Sequence, residues 1–505
     1  MLPPRRQWPR AGLKRRVSTS DDVVRARSEL LARDVLQALR NPKRQAPWTH
    51  RLRKFILEIQ STASTWSRTD RFVPVKTIAI PKGRSGTGQK YRLVSIYSLR
   101  DTILASGFSA YFRALLEPRL GVACLAYRAA TPGKRPVSHH DAVARIKKYA
   151  SGYPPNAPLW VAECDLKGFF DNLRHSTVRR TLRRLFRPSN PDDESLREFI
   201  ESFLSGYSFA AGVDDASGRL ASSGVYRPNF GRPLAIGDTR TGVAQGSAIS
   251  CILANAVLFP ADDACTQEQG PNALFLRYSD DTLFISPDRA ECQAMLDAYL
   301  HTLSHLRLPA HPPEAHTAYN RKFWSGKSKS PYKWVAAGPT GAVPWLAFVG
   351  YHVARNLQTR ARPSSVDKEL NKQRQVADLA VSRIVRASKR VPRLAIRRVD
   401  AIRFRALQHM LAFGVGQPRA KTPAPIPGGL SWTRGFKELK GSQAALRGLA
   451  NLDRGRLIAL NRVSGRIKAL VEARICYEGK FPARRTIRFR LKYPGRPFSY
   501  ARQFI

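Results

Sequence analysis

Two short apolar runs with a pair of carboxylates between them constrain the fold of this chain more than any other feature. Residues 274–276 precede, and residues 283–285 follow, the adjacent acids Asp280 and Asp281. Short runs of strand-forming residues separated by polar ones predict a β-hairpin with the acidic pair at its turn. Neighbouring carboxylates repel each other, and Mg²⁺, which takes oxygen ligands, would relieve that repulsion. For this segment taken alone, a solvated acidic turn is the alternative interpretation.

A second carboxylate has the same setting. The hydrophobic run of residues 159–164 predicts a buried strand that ends at Asp165. Neighbouring strands would bring Asp165 and Asp280 to one edge of a sheet, close enough to hold two metal ions. Two metals about 4 Å apart stabilise both the attacking and the leaving oxygen of an in-line phosphoryl transfer. The pattern therefore indicates phosphoryl-transfer chemistry.

The charge of the chain indicates a polyanionic partner. Lysine and arginine number 86 against 37 acidic residues, which gives a formal net charge of +49. Such an excess repels itself in a compact fold unless an anion neutralises it. Nucleic acid is the first candidate, because phosphate neutralisation dominates its binding, and an anionic membrane surface is the alternative. The length of 505 residues predicts two or three domains.

The cysteines predict core thiols rather than a metal centre. None of the six forms a Cys-x-x-Cys pair, and no paired histidines stand near them at zinc spacing. Scattered thiols are typical of a reducing cytosol. No zinc site is therefore expected. We also find no apolar run with a length close to the ~18 residues that are needed to span a bilayer. No signal peptide is found either.

Periodicity and turn residues predict the remaining elements. The predicted helices lie at residues 21–40, 51–60, 194–205, 248–256, 442–450 and 456–475, with helical spacing also after residue 364. The predicted strands lie at residues 77–80, 91–96, 346–351 and 486–493. Residues 82–88 are predicted to form a basic, glycine-rich turn that can close over phosphates, although such turns are more often only turns.

The order of these motifs resembles that of the reverse transcriptase family over about residues 70–355. An aspartate followed five residues later by an aromatic, a glutamine-glycine-serine motif and a tyrosine-x-aspartate-aspartate box are typical of that family. The matching segments here are Ile80-Pro81-Lys82 with Lys90-Tyr91-Arg92, Tyr127-Arg128, His140-Asp141-Ala142, residues 165–171, residues 243–250, Tyr278-Ser279-Asp280-Asp281 and Phe348-Val349-Gly350-Tyr351. One departure is Ala248, which stands where the family usually has proline.

The resemblance implies an α+β fold of the right-hand polymerase type, with fingers, a palm built on an antiparallel sheet, a helical thumb and a basic, mainly helical C-terminal extension. The implied divisions are an N-terminal basic arm with helices at 1–70, fingers at 71–155, palm at 156–355 with an insertion near 206–242, thumb at 364–416, a linker at 417–429 and the extension at 430–505.

The resemblance also implies roles for individual residues. Asp165, Asp280 and Asp281 would bind two catalytic Mg²⁺ ions. Phe170 would exclude the ribose 2′-OH and so favour deoxynucleotides, with a core aromatic as the alternative role. The other implied nucleotide-binding residues are Lys82 and Arg92 at the triphosphate, and Gln245 and Gly246 at the templating base pair. His316 stands where many relatives carry a lysine that protonates pyrophosphate, so it is a candidate general acid; a loop histidine without a catalytic role is the alternative.

The implied function is RNA-directed DNA synthesis. From Arg456 to Ile505 there are 13 basic residues against two acids, and an extension of this kind is similar to the unknown-group and abortive-infection branch of bacterial reverse transcriptases, which act in antiphage defence. That branch implies a noncoding RNA partner, a DNA product made from dNTPs, a bacterial cytoplasmic location, and a homo-oligomer or a partner defence protein. The alternatives are an intron maturase that lacks its cysteine-rich nuclease and an RNA-binding scaffold with a polymerase-like core.

Overall fold

A computed structural model describes residues 47–66, 70, 72, 74–85, 88–128, 137–186, 190–206, 241–316, 319–336, 342–390, 394–415, 432–473, 476–477 and 498. For some of these, including residues 76–91, only the backbone is described. The predicted helix at 21–40, most of the insertion at 206–242, the linker at 417–429 and the strand at 486–493 lie outside this part of the chain. The chain divides into two compact units, whose boundary falls between Val349 and Gly350.

The first unit is built on a five-stranded sheet with the strand order β4-β5-β3-β7-β6. All neighbours are antiparallel except β6 and β7, which are parallel. The strands of the sheet are β3 (Leu159–Asp165), β4 (Leu274–Tyr278), β5 (Asp281–Ser286), β6 (Pro313–Glu314) and β7 (Ser328–Trp334). The central strand β3 is almost entirely buried, as its unbroken hydrophobic run predicted.

The described part of the first unit contains nine helices. They are α1 (Pro47–Ser64), α2 (Leu99–Leu116), α3 (His139–Ala150), α4 (Phe169–Asn172), α5 (His175–Leu185), α6 (Pro191–Ser205), α7 (Ala248–Glu268), α8 (Arg289–His305) and α9 (Arg321–Ser325). Helices α7 and α8 pack on each other, and α8 also packs on β3 and β5. Their apolar residues form one core, in which Leu253, Phe284 and Met295 are fully buried. The fold is therefore α+β.

Helix α7 extends the predicted segment 248–256 by more than three turns. By length and composition it could cross a membrane, but 67% of its most apolar window is buried inside the protein. Twelve of its residues, among them Leu253 and Asn255, are buried. A helix that is hydrophobic on every side is typical of a protein core, and α7 occupies that position here.

Strands β1 (Lys76–Ser85) and β2 (Gly88–Ile96) differ in extent from the prediction. Strand β1 continues through Pro81 and most of the predicted basic turn, and it pairs with β2 along its whole length. The register shifts between Pro81 and Gly83. Proline has no N–H to donate, so it is tolerated at such an irregularity. The predicted turn at 82–88 is therefore too long: residues 82–85 and 88 belong to the two strands, because proline interrupts the ladder here without ending the strand.

The second unit contains a bundle of three long helices. Its described elements are β9 (Tyr351–Ala354), β10 (Thr359–Ala361), α10 (Pro363–Arg390), β11 (Leu394–Ala395), α11 (Ile396–Val415), α12 (Trp432–Gly435), α13 (Leu446–Glu472) and β12 (Cys476–Tyr477). Ala377, Met410 and Val463 meet in the bundle core. Helix α13 is one continuous helix, whereas the sequence predicted two helices, at 442–450 and 456–475.

The predicted single strand at 346–351 is also divided. Strand β8 (Trp345–Phe348) ends before Val349, and β9 begins at Tyr351. Val349 and Gly350 have φ angles of 42° and 88°, which a strand does not accommodate. The Phe348-Val349-Gly350-Tyr351 motif therefore lies at a turn between two strands.

Candidate active site

The hairpin predicted around the acidic pair is present, with one refinement. Strands β4 and β5 pair from Leu274 and Ile285 to Tyr278 and Asp281, which leaves Ser279 and Asp280 as the two turn residues. Asp281 is thus the first residue of β5 and not part of the turn. On its other side, Asp281 is the register partner of Asp165 at the end of β3. The sheet therefore brings Asp165, Asp280 and Asp281 to one edge.

The turn itself has an unusual backbone. Ser279 is buried and has a φ angle of 61°, a conformation that costs a non-glycine residue about 1–3 kcal/mol. Its side chain hydrogen bonds with the Tyr127 hydroxyl and with Asp280. Strained residues held by several contacts are typical of functional sites. The strain at Ser279 is thus offset by contacts on both sides of the turn.

The charge of Asp280 is destabilised by its surroundings. Burial raises the pKa of the Asp280 carboxyl above its usual value, and the negative charge of Asp165 raises it further. The Ser279 hydrogen bond and the positive charge of Arg92 lower it in part. The two carboxylates thus interact, and Arg92 is close enough for its charge to act on Asp280.

Asp165 already has basic neighbours. The Lys327 Nζ lies 3.1 Å from the Asp165 Oδ2, and the His311 Nε2 lies 3.9 Å from the same oxygen. The Asp165 backbone N–H donates to the Ser328 Oγ at 3.0 Å. The Lys327 side chain is 65% exposed, so it can move away when another cation binds. The sequence did not indicate Lys327, because nothing in its own motif links it to Asp165, 162 positions earlier.

The three aspartates have side chains of the kind that binds magnesium. No group of three or more metal-ligand side chains is already arranged around one point in the described residues. The carboxylates nevertheless repel each other, and Lys327 supplies a counter-charge to one of them. Carboxylate oxygens are the ligands that Mg²⁺ prefers. A divalent ion that displaced Lys327 would relieve the repulsion that raises the pKa of Asp280.

The Gln245-Gly246 loop contacts strand β2. The Ser95 backbone N–H donates to the Gln245 carbonyl at 2.7 Å. Gly246 has a φ angle of 113°, and a Cβ added there would lie 2.5 Å from the Ser95 carbonyl oxygen. Only glycine permits this backbone approach. The loop therefore lies against β2, three residues from Arg92.

The same loop contacts the segment after Asp165. The Gln245 Nε2 donates to the Asp171 Oδ1 at 3.2 Å, and the Val243 N–H donates to the Phe170 carbonyl at 2.8 Å. Phe170 lies in the short helix α4, partly buried, with its ring 5.3 Å from that of Phe169. The segment of Phe170 and Asp171 and the segment of Val243 and Gln245 are thus connected by one backbone and one side-chain hydrogen bond.

The two residues predicted to bind the triphosphate lie on strands β1 and β2. Arg92 is exposed on β2 and pairs in register with Ile80. Lys82 lies on β1 at the register shift, and its side chain is outside the described part of the protein. Their roles in nucleotide binding stay predictions.

His316 occupies a nearly buried position. Its Nε2 lies 3.8 Å from the Glu314 Oε2, and its ring packs edge-on against Phe323 at 5.2 Å. Burial lowers the pKa of the His316 imidazole below its usual value. A lowered pKa favours the neutral imidazole at pH 7, and the neutral imidazole is a much weaker acid than the imidazolium. Its role as a general acid stays a prediction.

A fully buried arginine, Arg277, is hydrogen-bonded to the turn between β4 and β5. The Arg277 Nε and Nη2 each donate to an Asp262 oxygen at 2.5 Å, and Nη1 donates to the Asn255 Oδ1 and the Ser279 carbonyl at 3.1 Å each. Nη2 also donates to the Cys124 Sγ at 3.2 Å. Arg277 thus joins helix α7, the loop at Cys124 and the turn before Asp280. Sequence reasoning missed it, although a charged residue inside an apolar strand is the signal that could have indicated it.

Comparison with known protein families finds a match for part of the chain. Residues 80–323 match the family model described as reverse transcriptase (RNA-dependent DNA polymerase). These residues are therefore similar to that family. The match covers just under half of the chain and includes all three aspartates. It supports the expected fold class, a right-hand polymerase, and the expected enzyme class, an RNA-directed DNA polymerase.

Solved structures add a distant likeness. The chain is similar to telomerase from Candida albicans in complex with a fragment of telomeric RNA, at 13% identity and a TM-score of 0.36, over 82% of this chain and 63% of that one. It is also similar to apo telomerase from Candida tropicalis, at 11% identity and a TM-score of 0.36, over 83% of this chain and 62% of that one. The chain thus spans about three-fifths of the length of these structures. No curated protein matches it in sequence.

Proposed function

We propose that this protein is an RNA-directed DNA polymerase that adds deoxynucleotides by two-metal phosphoryl transfer. The observation that carries the proposal is the register of the sheet, which pairs Asp165 with Asp281 and puts Asp280 at the adjacent turn. The match of residues 80–323 to the reverse transcriptase family model supports the same chemistry.

In the proposed reaction, Asp165, Asp280 and Asp281 would hold two Mg²⁺ ions. Such ions, when bound, stabilise the attacking and leaving oxygens of the displacement. The other groups belong to the chain. Arg92, whose charge already acts on Asp280, would bind the triphosphate, since its planar fork matches phosphate oxygens. Lys327 would leave Asp165 and add a second positive charge near the same phosphates.

The nucleotide and its template would lie beside the Gln245-Gly246 loop. This loop hydrogen bonds with β2 on one side and with the segment of Phe170 and Asp171 on the other. A base pair at this position would therefore meet the glycine backbone, and the sugar would meet Phe170. The net charge of +49 supports RNA and DNA as the polymer partners.

The finer parts of the proposal concern the biological setting. We propose a bacterial cytoplasmic enzyme that acts in antiphage defence, with a noncoding RNA as template or scaffold, as a homo-oligomer or with a partner defence protein. The strong basic excess from Arg456 onward supports an RNA partner. The defence role rests on the resemblance to the abortive-infection branch.

The decisive experiment measures DNA synthesis by the purified protein with Mg²⁺, dNTPs and a primed RNA template. We expect incorporation by the wild type and a loss of more than about 100-fold in Asp280→Asn, because even outer-shell changes at metal sites cost about 10–100-fold. Asp263→Asn, an exposed carboxylate on α7, is the matched control and should keep full activity. Equal activity in wild type and Asp280→Asn would exclude the proposed site.

A second experiment addresses the alternatives. Sequencing the nucleic acid that copurifies with the protein, before and after dNTP extension, would report template, primer and product together. RNA binding without any incorporation would favour the scaffold alternative. A catalytic intron as the bound RNA would favour the maturase alternative, whereas an extended noncoding RNA supports the defence proposal.

A further inference from the structure

Two histidines on helix α8 have ring nitrogens that lie close together. His301 and His305 are four residues apart, a spacing that places side chains on one face of a helix. Both are exposed, and their Nε2 atoms lie 3.0 Å apart. The rings are 4.5 Å apart between centroids, at an angle of 76°. The two Nε2 atoms thus lie side by side at the exposed surface of the helix.

This separation suits two ligands of one transition-metal ion. With Zn–N bonds of about 2.0–2.1 Å, two nitrogens are about 3.3 Å apart at a tetrahedral angle and about 2.9 Å apart at a right angle. The observed 3.0 Å lies between these values. In the metal-free pair, one Nε2 carries the proton and the other accepts it. A metal would take the place of that shared proton while both rings kept their positions.

The surroundings place charges of both signs near the pair. Asp297 is exposed one turn before His301 on the same helix face, with its Oδ1 accepting a hydrogen bond from the Gln293 Nε2 at 2.8 Å. On the other side, the Arg180 Nη2 donates to the His305 carbonyl at 3.3 Å. The arginine charge is therefore directed at the helix end and not at the ring nitrogens.

We propose that His301 and His305 form a binding site for a divalent transition-metal ion of the zinc type. This site is separate from the three aspartates and does not depend on the proposed polymerase activity. Imidazole nitrogen suits zinc, copper and nickel, whereas Mg²⁺ requires oxygen ligands. The cysteine pattern excluded a thiolate site, but it did not bear on two imidazoles. With two protein ligands, water would complete the coordination shell.

The segment that follows the histidine pair is hydrogen-bonded to the end of the strand that carries Asp165. Helix α8 ends at His305, and the chain then turns at Arg307, whose φ angle is 57°. The following segment pairs with the end of β3, because the Lys167 N–H donates to the Pro309 carbonyl and the His311 N–H donates to the Asp165 carbonyl. A metal that bridges the last turn of α8 would therefore stabilise the helix end that leads into the active-site edge.

The test titrates the full-length protein with ZnCl2 and follows binding by calorimetry and by the thermal unfolding midpoint. The variant is His301→Ala with His305→Ala, and the matched control is His409→Ala, an exposed helical histidine in the second unit. We expect the wild type and the control to bind one more equivalent of zinc than the double variant. Zinc should also raise their unfolding midpoint by more, since a ligand that binds only the folded state stabilises it.

Two results would overturn the proposal. One is an equal zinc stoichiometry in the wild type and the double variant. The other is displacement of the additional zinc by millimolar MgCl2, which would assign that ion to carboxylates. Both alanine substitutions are at exposed positions, and circular dichroism without metal checks that the variants are folded.

Discussion

The Asp280 carboxylate is partly buried at the tip of the β4–β5 hairpin, beside the charge of Asp165. Burial and this neighbour both disfavour its ionised form, so the folded protein binds a proton at Asp280 more tightly than the unfolded chain does. A residue retained at such a cost is typical of a functional site. The same argument applies to Ser279, whose φ angle of 61° is held by contacts with Tyr127 and Arg277.

We therefore predict that Asp280→Asn raises the stability of the metal-free protein at neutral pH while it abolishes DNA synthesis. Because the folded-state pKa is raised, stability is highest at low pH and falls as the pH rises from the unfolded pKa, about 3.9, through the folded one. Asparagine carries no charge and lacks this loss. Urea unfolding in EDTA at pH 7 should show a higher midpoint for the variant, and the difference should vanish below the unfolded pKa. A lower midpoint at pH 7 would contradict the argument.

Phe170 can be tested for its two alternative roles. If its ring excludes the ribose 2′-OH, Phe170→Val should lower the ratio of kcat/KM for dNTPs over rNTPs by about tenfold or more, which corresponds to about 1.4 kcal/mol of discrimination. Single-nucleotide extension with each substrate measures that ratio. An unchanged ratio together with a lowered unfolding midpoint would assign Phe170 to the core instead.

At the scale of elements, the active site depends on how helix α7 holds the β4–β5 hairpin and on how β2 approaches the Gln245-Gly246 loop. The Arg277–Asp262 ion pair is fully buried between β4 and α7. Its guanidinium also bonds the carbonyl of Ser279. The Gln245-Gly246 loop makes the second connection, since Gly246 approaches Ser95 on β2. Neither connection depends on a long hydrophobic surface, so single substitutions test each of them.

Breaking the buried ion pair should be costly. We predict that Asp262→Asn lowers the free energy of unfolding by about 3–5 kcal/mol, because it leaves the Arg277 charge buried with no opposite charge. The control is Asp378→Asn, which breaks the exposed pair of Asp378 and Arg462 at 2.7 Å and should cost no more than about 1 kcal/mol. Urea titration of both variants gives the comparison. Similar losses in the two variants would show that the buried pair is not an anchor.

Gly246→Ala should displace the loop from β2. The added Cβ would lie 2.5 Å from the Ser95 carbonyl oxygen, and the φ angle of 113° adds backbone strain. We expect a higher KM for dNTPs, measured by steady-state extension. Gly441→Ala is the matched control, since Gly441 has a φ angle of 72° but open space around it. It should share the backbone cost of about 1–3 kcal/mol without a change in KM.

At the scale of the whole molecule, the net charge of +49 dominates binding to polyanions. Exposed basic residues lie on α10 and α13 of the second unit, and many more lie outside the described part of the chain. Neutralised phosphates release counterions, so affinity for nucleic acid depends strongly on salt. This dependence needs no catalysis.

We predict that the dissociation constant for duplex nucleic acid rises about 10³-fold or more between 50 and 200 mM salt, as expected when six or more phosphates are neutralised. Fluorescence anisotropy over a salt series measures the slope. Asp280→Asn should give the same slope as the wild type. A shallow slope would show that most of the basic residues do not contact phosphate.

Much of the site could be predicted from the sequence because its residues stand in local patterns. Asp165 is the last residue of a hydrophobic strand, and Asp280 lies in the turn between two apolar runs that pair as a short antiparallel hairpin. The four buried cysteines of the described core, Cys124, Cys164, Cys265 and Cys292, were expected as core thiols for the same local reason. Predictions failed where a single residue gave a misleading stop signal. Pro81 did not end β1, and the apolar run at 346–351 is divided by the turn at Val349 and Gly350.

The sequence by itself determined the residue types on which the proposed chemistry depends: the carboxylates, their place beside apolar runs and the basic net charge can be read from the chain alone. The tertiary structure decided which residues support that chemistry. Arg277, Asp262 and Lys327 are distant in sequence from their partners or hidden in an apolar run, and only the packing of α7, β4 and β7 around β3 and β5 brings them together. The reason is physical. Local patterns set secondary structure, whereas the pairing of charges depends on distances that only the folded chain establishes.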